Sequence, residues 1–191
     1  MIFILVLNTS TTFMQITLLP QNGLFTAARQ ALANGIFPEG KEQRDTLTRD
    51  ANTDALTGLA NRRAFDRARS TAEADSGTAF IIFDVNNFKK VNDQLDHLTG
   101  DKVLQNIAQV ITLVASRYRL GNRVFRIGGD EFAIICPAHA ARLIRDKVEQ
   151  MYEPFVISPG VMVSISGTTG STYLEADAKL QARKQEHKNA R

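Results

Sequence analysis

The order of elements legible in the sequence predicts an α+β sandwich, with helices packed on a mixed or antiparallel sheet. Residues 78–85, Thr-Ala-Phe-Ile-Ile-Phe-Asp-Val, form a continuous apolar run with Asp84 at its end, as expected of a central strand buried on both faces. Several flanking segments carry apolar residues at helical spacing instead. In sequence they read helix, strand, helix, strand, strand, helix, strand, helix.

Each element follows from local chemistry. Arg62 to Ser70 reads as a helix started by Asn61, whose side chain can accept from the free N–H groups of the first turn. The strand over residues 78–85 comes next. From Asp101 onward Val103, Leu104, Ile107, Ala108, Ile111 and Val114 line one face of an amphipathic helix suited to pack on that strand. Arg123 to Ile127 and Phe132 to Cys136 read as strands joined through Gly128, Gly129, Asp130 and Glu131 as a tight hairpin. Leu143, Ile144, Val148 and Met151 mark a further helix, Val161 to Ile165 a strand, and the chain closes in a polar, basic helix from about Tyr173.

A chain of 191 residues, 43% hydrophobic and 23% charged, can close one core beside a short extra segment. Pro20, Gly23, Gly35, Pro38 and Gly40, followed by the charged stretch Lys41 to Asp50, suggest a linker. The division expected is therefore an N-terminal segment of unknown role over 1–45 and a domain over 46–191. The apolar start, Met1 to Leu7, falls short of the roughly 20 residues a spanning helix needs and lacks a basic lead and cleavage site. It reads as a strand or helix of a small N-terminal segment, or as a remnant of a longer membrane or sensor region, and membrane association is not the expectation. A net charge of +3 is too small an excess to imply nucleic-acid binding. Cys136 is the single cysteine, so no internal disulfide partner exists and a cytoplasmic setting is expected.

The carboxylates carry the chemistry. Asp84 closes a buried strand, where a charge is costly unless it is paired or binds a metal. The Gly128–Gly129 hairpin would bring Asp130 and Glu131 to one sheet edge, beside the end of that strand. Hard oxygen ligands of this kind suit Mg²⁺, which binds through one or two carboxylates together with substrate phosphates, and so phosphoryl or nucleotidyl transfer. On pattern alone, Asp130 and Glu131 could equally be solvated turn residues.

Three ordered motifs resemble the GGDEF family of diguanylate cyclases. Gly128-Gly-Asp-Glu-Phe132, preceded by Arg126, matches its signature. Asp54-Ala-Leu-Thr-Gly-Leu-Ala-Asn-Arg-Arg-Ala-Phe65 resembles its opening motif. Asp84 to Asp93, followed by His97 and Gly100-Asp101, resembles its metal and guanine segment. The resemblance implies a palm-like, ferredoxin-like fold related to the nucleotide cyclases, and an enzyme that condenses two GTP molecules into cyclic di-GMP and pyrophosphate across a homodimer. It implies that Asp84, Asp130 and the backbone carbonyl of Val85 hold Mg²⁺ (or Mn²⁺), and that Asp130 and Glu131 serve as the catalytic carboxylates. Asn92 and Asp101 would read the guanine edge, and His97 would border the nucleotide. Phe88, Lys89, Gly129, Lys184 and Lys188 would meet the triphosphate.

The match departs from the family's pattern in places. Asn86 stands where the family usually has a second Asp, and Asp96 where it often has Gly. Ser164-Ile-Ser-Gly167 resembles the family's Ser-Ile-Gly strand end with a substitution, and the connection to Ala176-Asp177 looks shortened. In the last helix Gln181 replaces the usual Tyr and Arg183 the usual Ala. Five residues before the signature the family's product-inhibition pattern, Arg-x-x-Asp, is present as Arg119-Leu-Gly-Asn122, with the acid replaced by an amide. These departures leave an alternative: a catalytically silent module that binds GTP or a partner as a regulatory domain.

Overall fold

The computed structural model describes residues 51–189, with side chains through residue 186. The expected N-terminal segment and linker lie outside the described residues. The central strand is β1 (Thr78–Asn86). It pairs antiparallel with β3 (Glu131–Pro137) on one side, from Thr78 opposite Pro137 to Asp84 opposite Glu131. On its other side lies β5 (Val161–Gly170), from Phe80 opposite Gly170 to Asn86 opposite Ser164. With β2 (Val124–Arg126) beside β3 and β4 (Phe155–Ser158) beside β5, the five-stranded order is β2-β3-β1-β5-β4, and every pair is antiparallel. Strands β1 and β2 thus run in the same direction with β3 between them, and β3 and β5 do so with β1 between them. This is the split βαβ arrangement of a ferredoxin-like sheet, with β4 added at one edge.

Because β1 is buried on both faces, both of its side-chain rows are apolar. Ile81, Phe83 and Val85 meet α2 (Phe88–Gln94), α3 (His97–Arg117) and α4 (Ala141–Met151), in a core that includes Ile107 and Ile144. Phe80 and Ile82 meet α1 (Arg62–Ala72) and α5 (Tyr173–Asn189) through Phe65, Ala176 and Leu180. There the Phe65 ring stands edge-on to Phe80, Phe125 and Tyr173, at 6.4, 5.4 and 5.3 Å between centroids. Three helices start on side-chain caps: Asn61 accepts from the Ala64 N–H at 3.2 Å, Asp96 from the Thr99 N–H at 2.6 Å, and the Thr172 hydroxyl from the Glu175 N–H at 3.2 Å.

The eight expected elements are present, and beside two short 3₁₀ turns, Gly121–Arg123 and Ala138–Ala140, a further α-helix and a further strand accompany them. Helix α2 is seven residues long with Val91 as its buried residue, too short for a period to show. β4 is a short, half-exposed strand directly after Pro154, with no apolar alternation. The long helix begins at His97, four residues before Asp101, because Asp96 supplies its cap. β5 continues to Gly170, five residues past the expected end, along the length of β1.

The extension depends on Gly167, which lies opposite Phe83. A Cβ there would stand 2.6 Å from Phe83 Cε1 and 2.9 Å from Arg145 Cγ. Gly167→Ala should therefore cost about 1–3 kcal/mol through overpacking, read by chemical denaturation. An unchanged midpoint would show that the ring and the strand can separate freely.

Candidate functional site

The side chain of Asp84 falls on the same face of β1 as Phe80 and Ile82, at the strand's C-terminal end. Its neighbours across the sheet are Glu131 of β3 and Ser166 of β5. Over them comes Lys184 of α5, whose Nζ lies 2.5 Å from Asp84 Oδ2 and 3.3 Å from Glu131 Oε1. The Asp84 side chain is 8% exposed, and its Oδ2 makes no well-angled hydrogen bond, so Lys184 meets it by charge. Burial pushes the Asp84 carboxyl above the usual carboxylate range, with Asp130 and Glu131 adding to it, while Lys184 pulls the other way without prevailing. Burial would lower the Lys184 ammonium, but Asp84 and Glu131 outweigh it and hold it above its ordinary value.

The signature turn is tied down on both sides. The N–H groups of Ile127 and Gly128 donate to the Glu131 carbonyl at 2.9 and 3.3 Å, and the Val85 N–H donates to the Asp130 carbonyl at 3.2 Å. A strand residue's N–H and C=O point to the same side, so the Val85 carbonyl is also directed toward this turn. Arg126 pins the turn to the opening motif, donating Nη2 to the Gly129 carbonyl at 2.7 Å and Nη1 to Asp54 Oδ1 at 3.1 Å. Burial would raise the Asp54 carboxyl, but the bonds from Thr57 and Arg126 win and hold it below its usual range. The sequence marks Asp54 and Arg126 separately; their pairing, 72 positions apart, is visible only in the fold.

Among the described residues no three acidic, histidine or cysteine side chains converge closely enough to hold a metal ion by themselves. Asp84 and Glu131 share Lys184, and the charge of Asp130 is felt at Asp84. Further ligands for a cation here would have to come from phosphate oxygens and water. A Cβ on Gly129 would meet nothing within 4 Å, so its backbone lies open to an incoming group.

The residues expected to read a base lie where α2 meets α3. Asn92 Oδ1 is buried and without a hydrogen bond, pressed against Gly100, where any Cβ would collide with it. The Phe88 ring closes the same contact at 3.3 Å from that Cβ position. Asp101, half-buried, follows Gly100 in α3, while Lys89 and His97 are exposed. Asn86 donates Nδ2 to the hydroxyls of Ser164 and Ser166 at 2.9 and 2.8 Å, which joins two of the departures from the family's pattern in one cluster. Arg119, with φ of 58°, and Asn122 lie exposed on the turn between α3 and β2, at the end of β2 remote from the signature. Lys188 belongs to α5, but its side chain lies outside the described residues. No helix among the described residues is long and apolar enough to cross a membrane.

The family model described as "Diguanylate cyclase, GGDEF domain" matches residues 51–190. Diguanylate cyclase VdcA of Vibrio cholerae is 38% identical over 112 residues, covering 58% of this chain and 32% of that protein. Diguanylate cyclase DgcS of Shewanella oneidensis is 32% identical over 148 residues, covering 71% of this chain and 48% of that protein. The chain thus spans about a third to a half of the length of these relatives. The crystal structure of the coiled coil and GGDEF domain of DgcB from Caulobacter crescentus, in complex with c-di-GMP, superposes with a TM-score of 0.67 at 29% identity, covering 84% of this chain and 95% of that one.

The raised Asp84 carboxyl carries a stability consequence. Its contribution is fully present below the unfolded-state value and is lost as pH rises through the higher folded value, so at neutral pH the ionised group costs stability. Asp84→Asn should therefore melt at a higher temperature than the parent in metal-free buffer at pH 7, with the gain fading as pH falls below about 4. A variant that melts lower at pH 7 would show that the Lys184 contact outweighs desolvation.

Proposed function

The chain belongs to the GGDEF diguanylate cyclase family, and from that membership we propose that its 51–190 domain condenses two GTP molecules into cyclic di-GMP, releasing two pyrophosphates. The observation that carries the reading is the buried Asp84 carboxylate, set beside Glu131 and already facing a cation, Lys184. An oxygen donor set with a buried, incompletely bonded carboxylate oxygen fits Mg²⁺ or Mn²⁺. Asp84, Asp130 and the Val85 carbonyl would hold that metal, which when bound offsets the charge that builds on the phosphoryl oxygens.

The remaining work falls to the chain's own groups. Glu131, with Asp130, accepts the proton of the 3′-hydroxyl. Asn92 and Asp101 face the guanine edge, the carboxylate accepting from the N1 and N2 donors and the amide pairing with the remaining acceptor. Adenine lacks those donors. The Phe88 backbone N–H, Lys89, Lys184 and Lys188 meet the triphosphate, the open backbone at Gly129 admits it closely, and His97 borders the nucleotide. One subunit holds one GTP, so catalysis requires a homodimer in which each 3′-oxygen attacks the α-phosphorus held by the other subunit and expels pyrophosphate. Aligning the two reactants supplies a large part of the rate. Dependence on GTP places this chemistry in the cytoplasm. The silent-module alternative loses ground because α5, despite Gln181 and Arg183, still delivers Lys184 to the carboxylates.

Incubation of the full chain with GTP and Mg²⁺, followed by nucleotide chromatography, tests the reading directly. Asp130→Asn should stay folded, since a turn carboxylate contributes little to the core, yet lose at least about 100-fold in turnover. Near-normal turnover in the folded variant would sink the proposed site.

Product feedback should be weak. Arg119 and Asn122 stand exposed as a degenerate form of the family's inhibitory pattern, and Asn122 offers a carbonyl without charge. Loss of charge assistance weakens such a contact by on the order of 1 kcal/mol or more. Calorimetric titration with cyclic di-GMP should show binding to the parent that tightens in Asn122→Asp. Submicromolar binding by the parent that vanishes in Arg119→Ala would contradict this.

A further inference from the structure

Helix α5 is anchored differently along its two halves. Its first turns dock through a buried apolar face, Tyr173, Ala176 and Leu180, beside which Lys179 Nζ donates to the Thr169 carbonyl at 2.9 Å. Past Leu180 no described apolar side chain is buried: Gln181, Ala182, Gln185 and Glu186 are exposed. What holds this half to the sheet among the described residues is charge. Arg183 Nη1 donates to the Gly167 carbonyl at 2.6 Å and lies 3.5 Å from Glu149 Oε1 of α4. That same Glu149 oxygen accepts the Gly167 N–H at 2.7 Å.

Gly167 sits on a stretch of β5 that β4 leaves uncovered, since β4 pairs only over Val161 to Val163. Its N–H and C=O therefore meet two side chains, one from each helical layer, where a further strand would otherwise lie. The next residue along α5, Lys184, reaches Asp84 and Glu131. The next residue back along β5, Ser166, is the one that faces Asp84. Two neighbouring residues of the helix thus hold the sheet at two points, Arg183 at the Gly167 carbonyl on its edge and Lys184 at Asp84 and Glu131 on its face.

We propose that Arg183, seated by Glu149, is a positioning residue that fixes the charge-docked half of α5 so that the Lys184 ammonium stands over Asp84 and Glu131. Its consequence for catalysis rests on the reading of Lys184 as a phosphate-binding cation. Lysine and arginine side chains are long and rotamer-rich, so an ammonium on an unanchored helix end would spend its time in solvent. The clamp removes that freedom before nucleotide arrives.

The test uses the full chain and reads Lys184 itself. Limited acetylation followed by peptide mass spectrometry gives the labelling rate of Lys184 relative to the exposed Lys102. Arg183→Ala and Glu149→Ala should speed Lys184 labelling by up to about fivefold, the scale on which an exposed ion pair shifts an equilibrium. Arg183→Lys, which keeps a donor for the Gly167 carbonyl, should restore the slow rate. In steady-state assays Arg183→Ala should raise KM for GTP more than it lowers kcat. Unchanged Lys184 labelling in a folded Arg183→Ala variant overturns the proposal, as does a fall in kcat with KM unmoved. If the parent makes no cyclic di-GMP, the functional reading fails on its own, and the labelling rates still decide whether Arg183 positions Lys184.

Discussion

The rest of the structure is arranged around a carboxylate at the end of a strand that has no solvent-facing side. β1 is covered on both faces, so Asp84 cannot turn to bulk water and must be met by protein groups or ligands. Its strand neighbours supply little relief. Glu131 opposite it is of like charge, and Ser166 carries no charge. The compensating charge comes from outside the sheet, through Lys184, and the Asp84 carboxyl still lies above its usual range. A site left short of positive charge in this way favours an incoming cation, which is why the desolvation of a single side chain orders the roles of β3, β5 and α5.

The position of that carboxylate relative to the signature turn is fixed by a second polar contact. β2 has three residues, too few to hold a hairpin rigid by ladder bonds alone. Arg126 makes up the difference by binding the Gly129 carbonyl and Asp54 together, while Asp54 also accepts from the N–H and hydroxyl of Thr57. The loop before α1 and the turn before β3 are therefore held by one guanidinium. Its surroundings leave Nε buried and without a partner, so the contact is made at some cost in desolvation.

The continuous apolar run of β1, the long period of α3 and the Gly-Gly turn were legible because each rests on local chemistry of adjacent residues. α2 and β4 were not, since a seven-residue helix and a four-residue edge strand leave no period to read. At the site, Asp84 was legible as a charge out of place in an apolar run, and Asp130 and Glu131 by resemblance of the turn. Lys184 was legible as a cation, whereas its placement on the carboxylates depends on the twist of the sheet and the entry angle of α5. The pairings of Arg126 with Asp54 and of Arg183 with Glu149 join residues 72 and 34 positions apart, a relation no local pattern encodes.

The departures from the family's pattern group in space in a way that bears on what the site tolerates. Asn86 and Ser166 lie on the same face as Asp84, and the amide of one bonds the hydroxyl of the other. A carboxylate at position 86 would place another negative charge one pleat from Asp84, in a cleft that already holds Glu131 and feels Asp130. With an amide there, the serine hydroxyls receive a neutral donor and no further negative charge is added beside Asp84. The smaller negative charge lowers the repulsion within the cleft.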